Sequence, residues 1–408
     1  MISAEQAISK VSGEMRLMAA ETVPLRAALG RVLAAAPAAG TTHPPADVSA
    51  MDGYAVRMED VETVPVTLEQ IGESAAGSGF AGTLNSGQAV RIFTGAPLPK
   101  GCDAIVIQEV TEKNATAVTV KESPVPGRFI RRAGMDFKKG DVLVRAGKVL
   151  SGRDIGILAA MNAAEVSVRK KPAIAILATG DELVQPGETP GPGQIISSNS
   201  LAIAAYVREL GGEPLDLGIA RDTESSLREK LAGAKNADML VTIGGASVGD
   251  YDLVGKVLAE EGMEPGFYKV AMRPGKPLIF GRLGDRYGSI PVLGLPGNPV
   301  SAGVTAVVVL RPAMMVMLGL AGDRENPQTA KLGRDLGEGG KRQDYLRARL
   351  AVNKSGERVA TPFDAQDSAM TARFAEADCL VVRAPLAAPA RAGENVTIIP
   401  LNGGIPGL

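Results

Sequence analysis

The chain of 408 residues has few of the side chains on which many enzymes depend: one histidine, two cysteines and no tryptophan. His43 lies in the loop-like stretch TTHPPAD, so we expect no histidine-based zinc site, Ser-His-Asp triad or imidazole acid–base catalysis. Cys102 and Cys379 are far apart and no Cys-x-x-Cys pair occurs, which argues against a disulfide framework. The chemistry is therefore expected to use carboxylates, lysines, arginines, hydroxyls and bound ions.

Features of nucleic-acid-binding and membrane proteins are also scarce. Aromatic residues make up 3% of the chain, and 44 Lys and Arg face 45 Asp and Glu, so neither stacking platforms nor a basic footprint is expected. The longest apolar tract, residues 300–320, is interrupted by Arg311 and Pro312, whereas a bilayer span needs about 20 apolar residues in a row; we interpret it as a buried helix. The start, MISAEQAISKVSGEM, has no apolar signal region. We predict a cytoplasmic protein without nucleic acid or membrane partners that acts on a small molecule.

The length favours two to four domains. In ISAEQAISKVSGEMRLM, apolar residues recur every three to four positions and predict an amphipathic helix; LRAALGRVLAA predicts a second helix. Glycine and two prolines then break the pattern in GTTHPPADVSAMDGYAVR. Short strand-like stretches follow, and a helix is predicted in SGRDIGILAAM. If that helix packs against the N-terminal helices, residues 1–46 and 137–171 form a helical linking domain, and residues 47–136 form an inserted β-rich domain.

The second half of the chain changes texture. Residues 172–320 alternate between strands and helices, from AIAILA through DMLVTI to PVLGL and a long helix that starts at Pro299. This alternation predicts a doubly wound, mostly parallel α/β sheet with helices on both faces. Residues 321–408 are β-rich, with DYLRARLAV and CLVVRAP as the clearest strands, and are expected to form a separate domain. The predicted fold class is α/β plus β, in several domains.

Three unusual loops follow strands of the α/β region: TGDEL at 179–183, GGASVGDYD at 244–252 and GLPGNPVS at 294–301. Ligands of doubly wound sheets bind beyond the carboxyl ends of the strands. We therefore predict that the three loops converge on one crevice.

The middle loop combines glycines with acids. Gly244 and Gly245 lack a Cβ, so their backbone amides can approach a phosphate, although a plain strand-to-helix turn also explains them. Asp250 and Asp252 would repel a phosphate unless a cation stood between them, or they could cap the next helix. Asp252 is the better candidate for a metal ligand.

Two further acids follow other strands. Glu182 lies just beyond the first strand, where a carboxylate could hold Mg²⁺, a cation that prefers carboxylate and phosphate oxygens. Asp222 ends another strand, and it could either join such a site or cap the helix in TESSLREK.

The segment KVAMRPGKP carries Lys269, Arg273 and Lys276 on a loop-like stretch. Three cations at this spacing suit a polyanion, although a solvated charge run is the alternative. In GLPGNPVS, Pro296 and Pro299 fix the backbone and offer a preshaped wall, and Pro299 can open the next helix.

The inserted β-rich domain contains the compact strings SAMDGYAVR, RIFTGAPLP and RRAGMDFKKGD. Spacing alone assigns them no role, and tight turns explain them equally well. Asp52, Thr94 and Asp136 are the groups in these strings that could take part in chemistry.

Taken together, SAMDGYAV, RIFTGAPLPKGCDAIVIQE, RRAGMDFKKGD, TGDEL, GGASVGDYD, RPGKP and GLPGNPVS resemble the molybdopterin molybdenumtransferase family, which includes bacterial MoeA and the E domain of gephyrin. The match runs in the family's motif order from about residue 5 to 400. It implies four domains, among them a molybdopterin-binding α/β domain and a β-barrel-like C-terminal domain. It also implies an elongated homodimer, with each cleft shared between the α/β domain of one subunit and the inserted domain of the other.

The resemblance further implies a reaction. The enzyme would bind adenylylated molybdopterin, insert molybdate at the dithiolene and cleave the pyrophosphate link with Mg²⁺, releasing AMP and molybdenum cofactor. A molybdopterin adenylyltransferase is the implied upstream partner.

Functional positions are carried over through the matching motifs. The implied catalytic residues are Asp52, Thr94, Asp136, Glu182, Asp222, Asp252, Lys269 and Arg273, with Glu182, Asp222 and Asp252 as the metal ligands. The implied substrate-binding residues are Gly244, Gly245, Ser247, Lys276, Pro296, Pro299, Arg347 and Ser368. The chain departs from the family pattern at Arg273, where Lys is frequent, at Ala46 and Val48, where Phe and Asn are common, and in Gln-Asp-Ser at 366–368, where Gln-Gly-Ser is usual.

Two other functions compete with this reading. A non-catalytic pterin-binding scaffold is possible in principle, but such a protein need not keep the metal-ligating carboxylates. A nucleotide pyrophosphatase that shares only the α/β domain is disfavoured by the inserted domain and the β-rich tail.

Overall fold

The computed structural model describes residues 1–245, 253–320 and 328–401. The chain begins with helix α1, Ala4–Gly13, which the Ser3 hydroxyl caps by accepting from the Gln6 amide. Strand β1, Ala20–Pro24, follows. Ala7 and Val11 of α1 are fully buried in the main core of the α/β sheet.

The prediction of a helix in LRAALGRVLAA is wrong. Only one 3₁₀ turn forms there, Leu25–Ala27, followed by isolated β-bridges of Val32 with Val149 and of Leu33 with Val168. The amides of Gly30 and Leu33 donate to the carbonyls of Leu150 and Lys148, which replaces intrahelical bonds with bonds to a distant segment. Tertiary pairing has overridden a favourable helix propensity.

The inserted domain is built from short strands, as expected. Its strands are β2 Val48–Ser49, β3 Gly53–Val56, β4 Val66–Ser74, β5 Gln88–Ile92, β6 Ala104–Ile107, β7 Thr111–Asn114, β8 Ala117–Val120 and β9 Ile130–Arg131. Six of them form a sheet in the order β6-β3-β5-β4-β8-β7, and β2 pairs with β9. Tyr54 and Val56 face one apolar cluster while Ala55 faces another, so the sheet is covered on both faces.

Helix α2, Gly152–Ala160, is capped by Ser151, and strand β10, Glu165–Arg169, pairs antiparallel with β1. Leu158 of α2 packs into a cluster with Ala28 and Leu33. Helix α2 thus packs on residues 25–33, the segment predicted as the second helix, although only a 3₁₀ turn forms there; α1 packs on the α/β sheet instead. The domain limits given above stay a prediction.

The α/β region has the predicted mixed architecture. Its elements are β11 Ala173–Thr179, β12 Leu183–Val184, β13 Ile195–Ile196, α3 Asn199–Glu209, β14 Glu213–Ala220, α4 Glu224–Leu231, β15 Met239–Ile243, α5 Leu253–Glu260, β16 Glu264–Lys269, β17 Met272–Arg273, β18 Pro277–Arg282, β19 Pro291–Leu295, α6 Pro299–Thr305 and α7 Arg311–Leu318. The sheet order is β14-β11-β15-β19-β18-β16. The first four strands are parallel to one another, β18 is antiparallel to β19, and β16 is antiparallel to β18. Apolar clusters cover both faces, which confirms the doubly wound, mostly parallel sheet.

The long apolar helix runs through α6, a π-helical segment at Ala306–Leu310, and α7. By length and hydropathy it could cross a membrane, but 78% of its most apolar window is buried inside the protein. Val304, Val309 and Leu310 are fully buried against the sheet. The interpretation as a buried core helix is confirmed.

A carboxylate after α5 ties three segments together. The Glu261 side chain is 4% exposed and accepts from the Tyr287 hydroxyl at 2.8 Å, from Arg286 at 2.8 Å and from Arg228. The tyrosine hydrogen bond and then the arginine charges lower the pKa of Glu261.

The C-terminal region forms a closed barrel. Its elements are β20 Gln328–Leu332, β21 Gln343–Val352, β22 Arg358–Pro362, α8 Thr371–Ala375, β23 Cys379–Arg383 and β24 Asn395–Pro400. The ring β21-β22-β20-β24-β23 closes through the pairing of β21 with β23, which confirms the barrel-like expectation. Strand β17 of the α/β region adds in parallel to β21, so the barrel and the α/β region share a sheet.

Candidate functional site

Three neighbouring parallel strands end at one edge of the α/β sheet. Strands β11, β15 and β19 lie side by side and stop at Thr179, Ile243 and Leu295. Beyond these ends lies a cleft of about 1250 Å³. Six residues singled out in the sequence line it: Glu182, Asp222, Gly244, Gly245, Pro296 and Pro299. The predicted convergence of the three loops is confirmed for their described residues.

The glycine turn after β15 needs both of its glycines. Gly244 has φ +90° and Gly245 φ +62°, which is backbone that residues with a Cβ rarely adopt. A Cβ at Gly244 would lie 2.9 Å from the Thr179 carbonyl oxygen, and one at Gly245 would lie 2.2 Å from Cγ2 of Val254. The turn thus passes directly beside the end of β11. Ser247, Asp250 and Asp252 lie outside the described residues.

Two candidate metal ligands face the same cleft. The Asp222 carboxylate accepts from the Asp181 amide at 3.3 Å, and the Asp222 amide donates to the Asp181 carboxylate at 3.2 Å. Helix α4 is capped by Thr223, whose hydroxyl accepts from the Ser226 amide, so the alternative role of Asp222 as the cap is wrong. Asp222 is thereby left as a cleft residue.

The cleft offers hard oxygen donors of the kind that Mg²⁺ prefers, from Glu182 and Asp222. Within residues 1–245, 253–320 and 328–401, no group of three or more metal-ligating side chains is assembled. The third predicted ligand, Asp252, belongs to the segment that is not described. Two protein carboxylates suit a Mg²⁺ ion that keeps waters and substrate phosphates as its other ligands.

The cationic segment is less loop-like than predicted, because Lys269 ends β16 and Arg273 lies in β17. Arg273 donates from Nε at 2.7 Å and from Nη2 at 3.1 Å to the carboxylate of Asp344, a 7% exposed side chain on β21. Lys269, Arg273 and Lys276 are not among the cleft-lining residues, although Pro277 is. The Arg273 guanidinium therefore links the α/β region to the barrel through a two-pronged ion pair.

The loop after β19 forms one wall of the cleft through Pro296, Gly297, Asn298 and Pro299. Pro299 is the first residue of α6, as predicted. The Asn199 side-chain amide, which was not anticipated from the sequence, donates to the Gly297 carbonyl at 2.6 Å. This hydrogen bond ties the wall to helix α3.

The barrel reaches the opposite side of the same wall. Ser368 accepts at its hydroxyl from Asn298 Nδ2 (3.0 Å) and at its carbonyl from the Val300 amide (3.2 Å), and its neighbour Ala369 lines the cleft. Arg347 is only 1% exposed, and its Nη2 donates to the Asp367 carbonyl at 2.8 Å. Burial lowers the pKa of Arg347, whose Nε has no partner among the described residues. Arg347 thus lies beneath the loop that carries Ser368.

In the inserted domain, Asp52 accepts at one carboxylate oxygen from both the amide and the hydroxyl of Thr94, each at 2.8 Å. These two hydrogen bonds, with the nearby charge of Arg91, lower the pKa of Asp52. Asp136 lies on a different turn, where its amide donates to the His43 carbonyl. None of these residues is among the residues that line the cleft of this chain.

The chain matches three family descriptions in series: "MoeA N-terminal region (domain I and II)" over residues 2–162, "Probable molybdopterin binding domain" over 175–315 and "MoeA C-terminal region (domain IV)" over 329–401. The molybdopterin molybdenumtransferase of Nostoc sp. is 41% identical over 80% of this chain and 76% of that protein, and the one of Haemophilus influenzae is 35% identical over 98% and 99%. The crystal structure of the molybdopterin biosynthesis MoeA protein from Pyrococcus horikoshii superposes with a TM-score of 0.84 at 31% identity, covering 99% of this chain and 100% of that one. Sequence motifs and these relatives agree, and the chain belongs to the MoeA family of molybdopterin molybdenumtransferases.

Proposed function

We propose that the chain inserts molybdate into adenylylated molybdopterin and cleaves the pyrophosphate link, releasing molybdenum cofactor and AMP. The observation that carries this proposal is the cleft at the carboxyl edge of the α/β sheet, where a glycine turn faces two carboxylates. Glycines give backbone amides close access to a phosphate, and carboxylates recruit the cation that such a phosphate needs. The pterin and the molybdenum are included in the proposal because the chain belongs to the molybdopterin molybdenumtransferase family.

In this proposal Glu182 and Asp222 hold Mg²⁺ together with Asp252, and Gly244, Gly245 and Ser247 cradle the phosphate. Bound Mg²⁺ would supply charge neutralisation on the transferring phosphoryl group.

Cations and a rigid wall complete the α/β part of the site. Lys269 and Arg273 would help to form a pocket for molybdate, itself an oxyanion, and Lys276 would bind the substrate, while Pro296 and Pro299 keep the wall in place. Arg273 contributes positive charge through the donors that Asp344 leaves free. Ser368 would contact the substrate from the barrel side, with Arg347 supporting its loop.

A second copy of the chain would complete the site. Asp52, Thr94 and Asp136 are assigned to catalysis by the family motifs, yet they are absent from the described lining of this chain's own cleft. A homodimer in which the inserted domain of one subunit covers the cleft of the other supplies them. Asp52 would then enter the site as a carboxylate already held in its ionised form by Thr94.

The upstream partner in this scheme is a molybdopterin adenylyltransferase, and the compartment is the cytoplasm. Nothing in the charge balance calls for nucleic acid. The runner-up function, a non-catalytic scaffold, is disfavoured because Glu182 and Asp222 both face the cleft.

The direct test is to incubate the purified chain with adenylylated molybdopterin, molybdate and Mg²⁺ and to measure AMP. We expect AMP release that depends on molybdate and Mg²⁺, and an Asp222→Asn variant about 10- to 100-fold slower at limiting Mg²⁺. Asp285→Asn, on an exposed turn outside the cleft lining, is the matched control and should be unchanged. Absence of molybdate-dependent AMP from active substrate would refute the enzyme proposal. Light scattering should give a mass near twice 42.1 kDa, and a strict monomer would refute the shared site.

A further inference from the structure

Gln366 is one of the residues that hold the barrel loop at residues 363–368, together with Arg347 and Arg334. Gln366 Oε1 accepts from the Arg347 amide at 3.0 Å, and its Nε2 donates to the carbonyls of Arg347 and Phe363, each at 3.0 Å. The side-chain amide therefore pairs with both backbone groups of one strand residue, as a neighbouring strand would. All of these bonds are local to the barrel, and they fix the path of the chain up to Ser368.

The far end of this loop completes the start of helix α6. The Val300 amide belongs to the first turn of the helix, where amides have no intrahelical acceptor. Asn298, at the N-cap position, makes no side-chain capping bond. The Ser368 carbonyl accepts from the Val300 amide instead, at 3.2 Å, and Asn298 Nδ2 donates to the Ser368 hydroxyl at 3.0 Å. The barrel thus supplies a cap that the helix does not provide for itself.

We infer that Gln366 and Asn298 are positioning residues for the substrate cleft. Gln366 fixes the loop, and Asn298 binds the loop to the wall that Asn298 forms together with Pro296, Gly297 and Pro299. The same wall is held from its other side by Asn199. Loss of either barrel contact should leave the wall present but less well placed, so binding should suffer before the chemical step. The identity of the ligand whose binding weakens rests on the function proposed above, whereas the contact between the barrel loop and the wall does not.

The first test replaces Gln366 by methionine, which has similar length and volume but no strong hydrogen-bonding group. We expect the KM for adenylylated molybdopterin to rise about 5- to 20-fold while kcat changes less than twofold, because the wall contributes uniform binding. In the absence of substrate, backbone hydrogen exchange of the peptide covering residues 296–305 should be faster in Gln366→Met than in the wild type. Gln328→Met is the matched control: its Oε1 accepts from Arg358 on the same barrel, away from the cleft, and both readouts should stay at wild-type values.

An unchanged KM, including a loss confined to kcat that follows the fraction of folded protein, would overturn the inference. Unchanged exchange of the 296–305 peptide in Gln366→Met would also overturn it. A wild-type chain without turnover would refute the proposed function; the positioning role would then be decided by the exchange result alone.

The second test asks whether Asn298 acts through Ser368. Asn298→Ala, Ser368→Ala and the double variant form a cycle. If the two side chains work as one contact, the double variant should raise KM no more than about twofold beyond the worse single variant. Multiplication of the two single effects would mean that Asn298 acts independently, and would overturn this part of the inference.

Discussion

Gly244→Ala tests the geometry of the cleft floor most directly. Two costs are expected. The first is backbone strain, because a residue with a Cβ at φ +90° lies in a left-handed region that costs about 1–2 kcal/mol. The second is steric: the new Cβ would lie 2.9 Å from the Thr179 carbonyl oxygen and 3.1 Å from the Thr179 hydroxyl, at the end of the neighbouring strand. Backbone of a central strand cannot move aside cheaply, and overpacking of this kind costs about 1–3 kcal/mol.

A matched control separates the two costs. Gly187, in the same region of the chain, has φ +96°, and a Cβ there would meet nothing within 4 Å. Gly187→Ala therefore carries the strain and the same gain from a less flexible unfolded chain, but not the clash. The difference between the two variants isolates the steric cost, about 1–3 kcal/mol, or roughly 3–10 °C in the midpoint of the α/β transition.

Calorimetry is the suitable assay, because a chain with several apolar cores need not unfold in one transition. Gly244→Ala should lower the midpoint temperature of the α/β transition further than Gly187→Ala does. It should also weaken substrate binding, because Gly244 lines the cleft and Gly187 does not. Equal destabilisation by the two variants would show that the turn does not press against Thr179, and would refute the reasoning.

Three further outcomes can be measured. Arg273→Lys should lower the free energy of unfolding by only about 1 kcal/mol, because lysine keeps the charge opposite Asp344 but loses the two-pronged geometry; a loss above 3 kcal/mol in urea unfolding would contradict this. Cys102 should resist iodoacetamide at pH 8 in the native protein and react in denaturant, since burial raises its pKa to about 11; rapid native labelling would contradict that environment. Glu261→Gln should cost about 1–2 kcal/mol at pH 7. The hydrogen bond from Tyr287 and the arginine charges lower the pKa of Glu261, so its stabilisation is present above its ordinary value of 4.5 and disappears as the pH falls through the lowered value; a difference in urea midpoints that stays constant down to pH 3 would refute this.

Local sequence patterns predicted most of the fold, and their failures at LRAALGRVLAA and at strand β16 have a physical reason. The α/β strands and helices follow from their hydrophobic period and from the glycines and prolines between them, because each buries its own apolar face in a three-layer sandwich of helices on both sides of the sheet. LRAALGRVLAA has the composition of a helix, but its backbone donors are used by residues 148–150 and 167, more than a hundred positions away. Pairing at that separation leaves no local signal. Strand β16 was missed for a related reason: EPGFYK has proline and glycine inside it and pairs at the edge of the sheet.

The site divides in the same way. Chain topology alone predicts that the carboxyl ends of β11, β15 and β19 meet, so Glu182, Gly244 and Pro296 could be grouped before any coordinates were known. The hydrogen-bond partners of these residues could not be predicted from the sequence. That Thr223 rather than Asp222 caps α4 depends on one turn of backbone, and both residues satisfy the same capping preference.

The barrel is where function and fold depend on each other most closely. Two of its junctions with the α/β region lie at functional segments. At one, strand β17 pairs with strand β21 and Arg273 binds Asp344; at the other, the Ser368 loop caps helix α6. The first junction fixes the segment that carries the candidate molybdate cations, and the second fixes the wall beside the glycine turn. A surface loop could hold either segment only weakly, because ordering a free backbone costs about 1–2 kcal/mol per residue. A closed barrel has already met that cost in its own strands, so it can present Asp344 of β21 at a fixed position and anchor the loop that carries Ser368 through hydrogen bonds to Arg347. The C-terminal region therefore acts as the rigid support against which the substrate cleft is set.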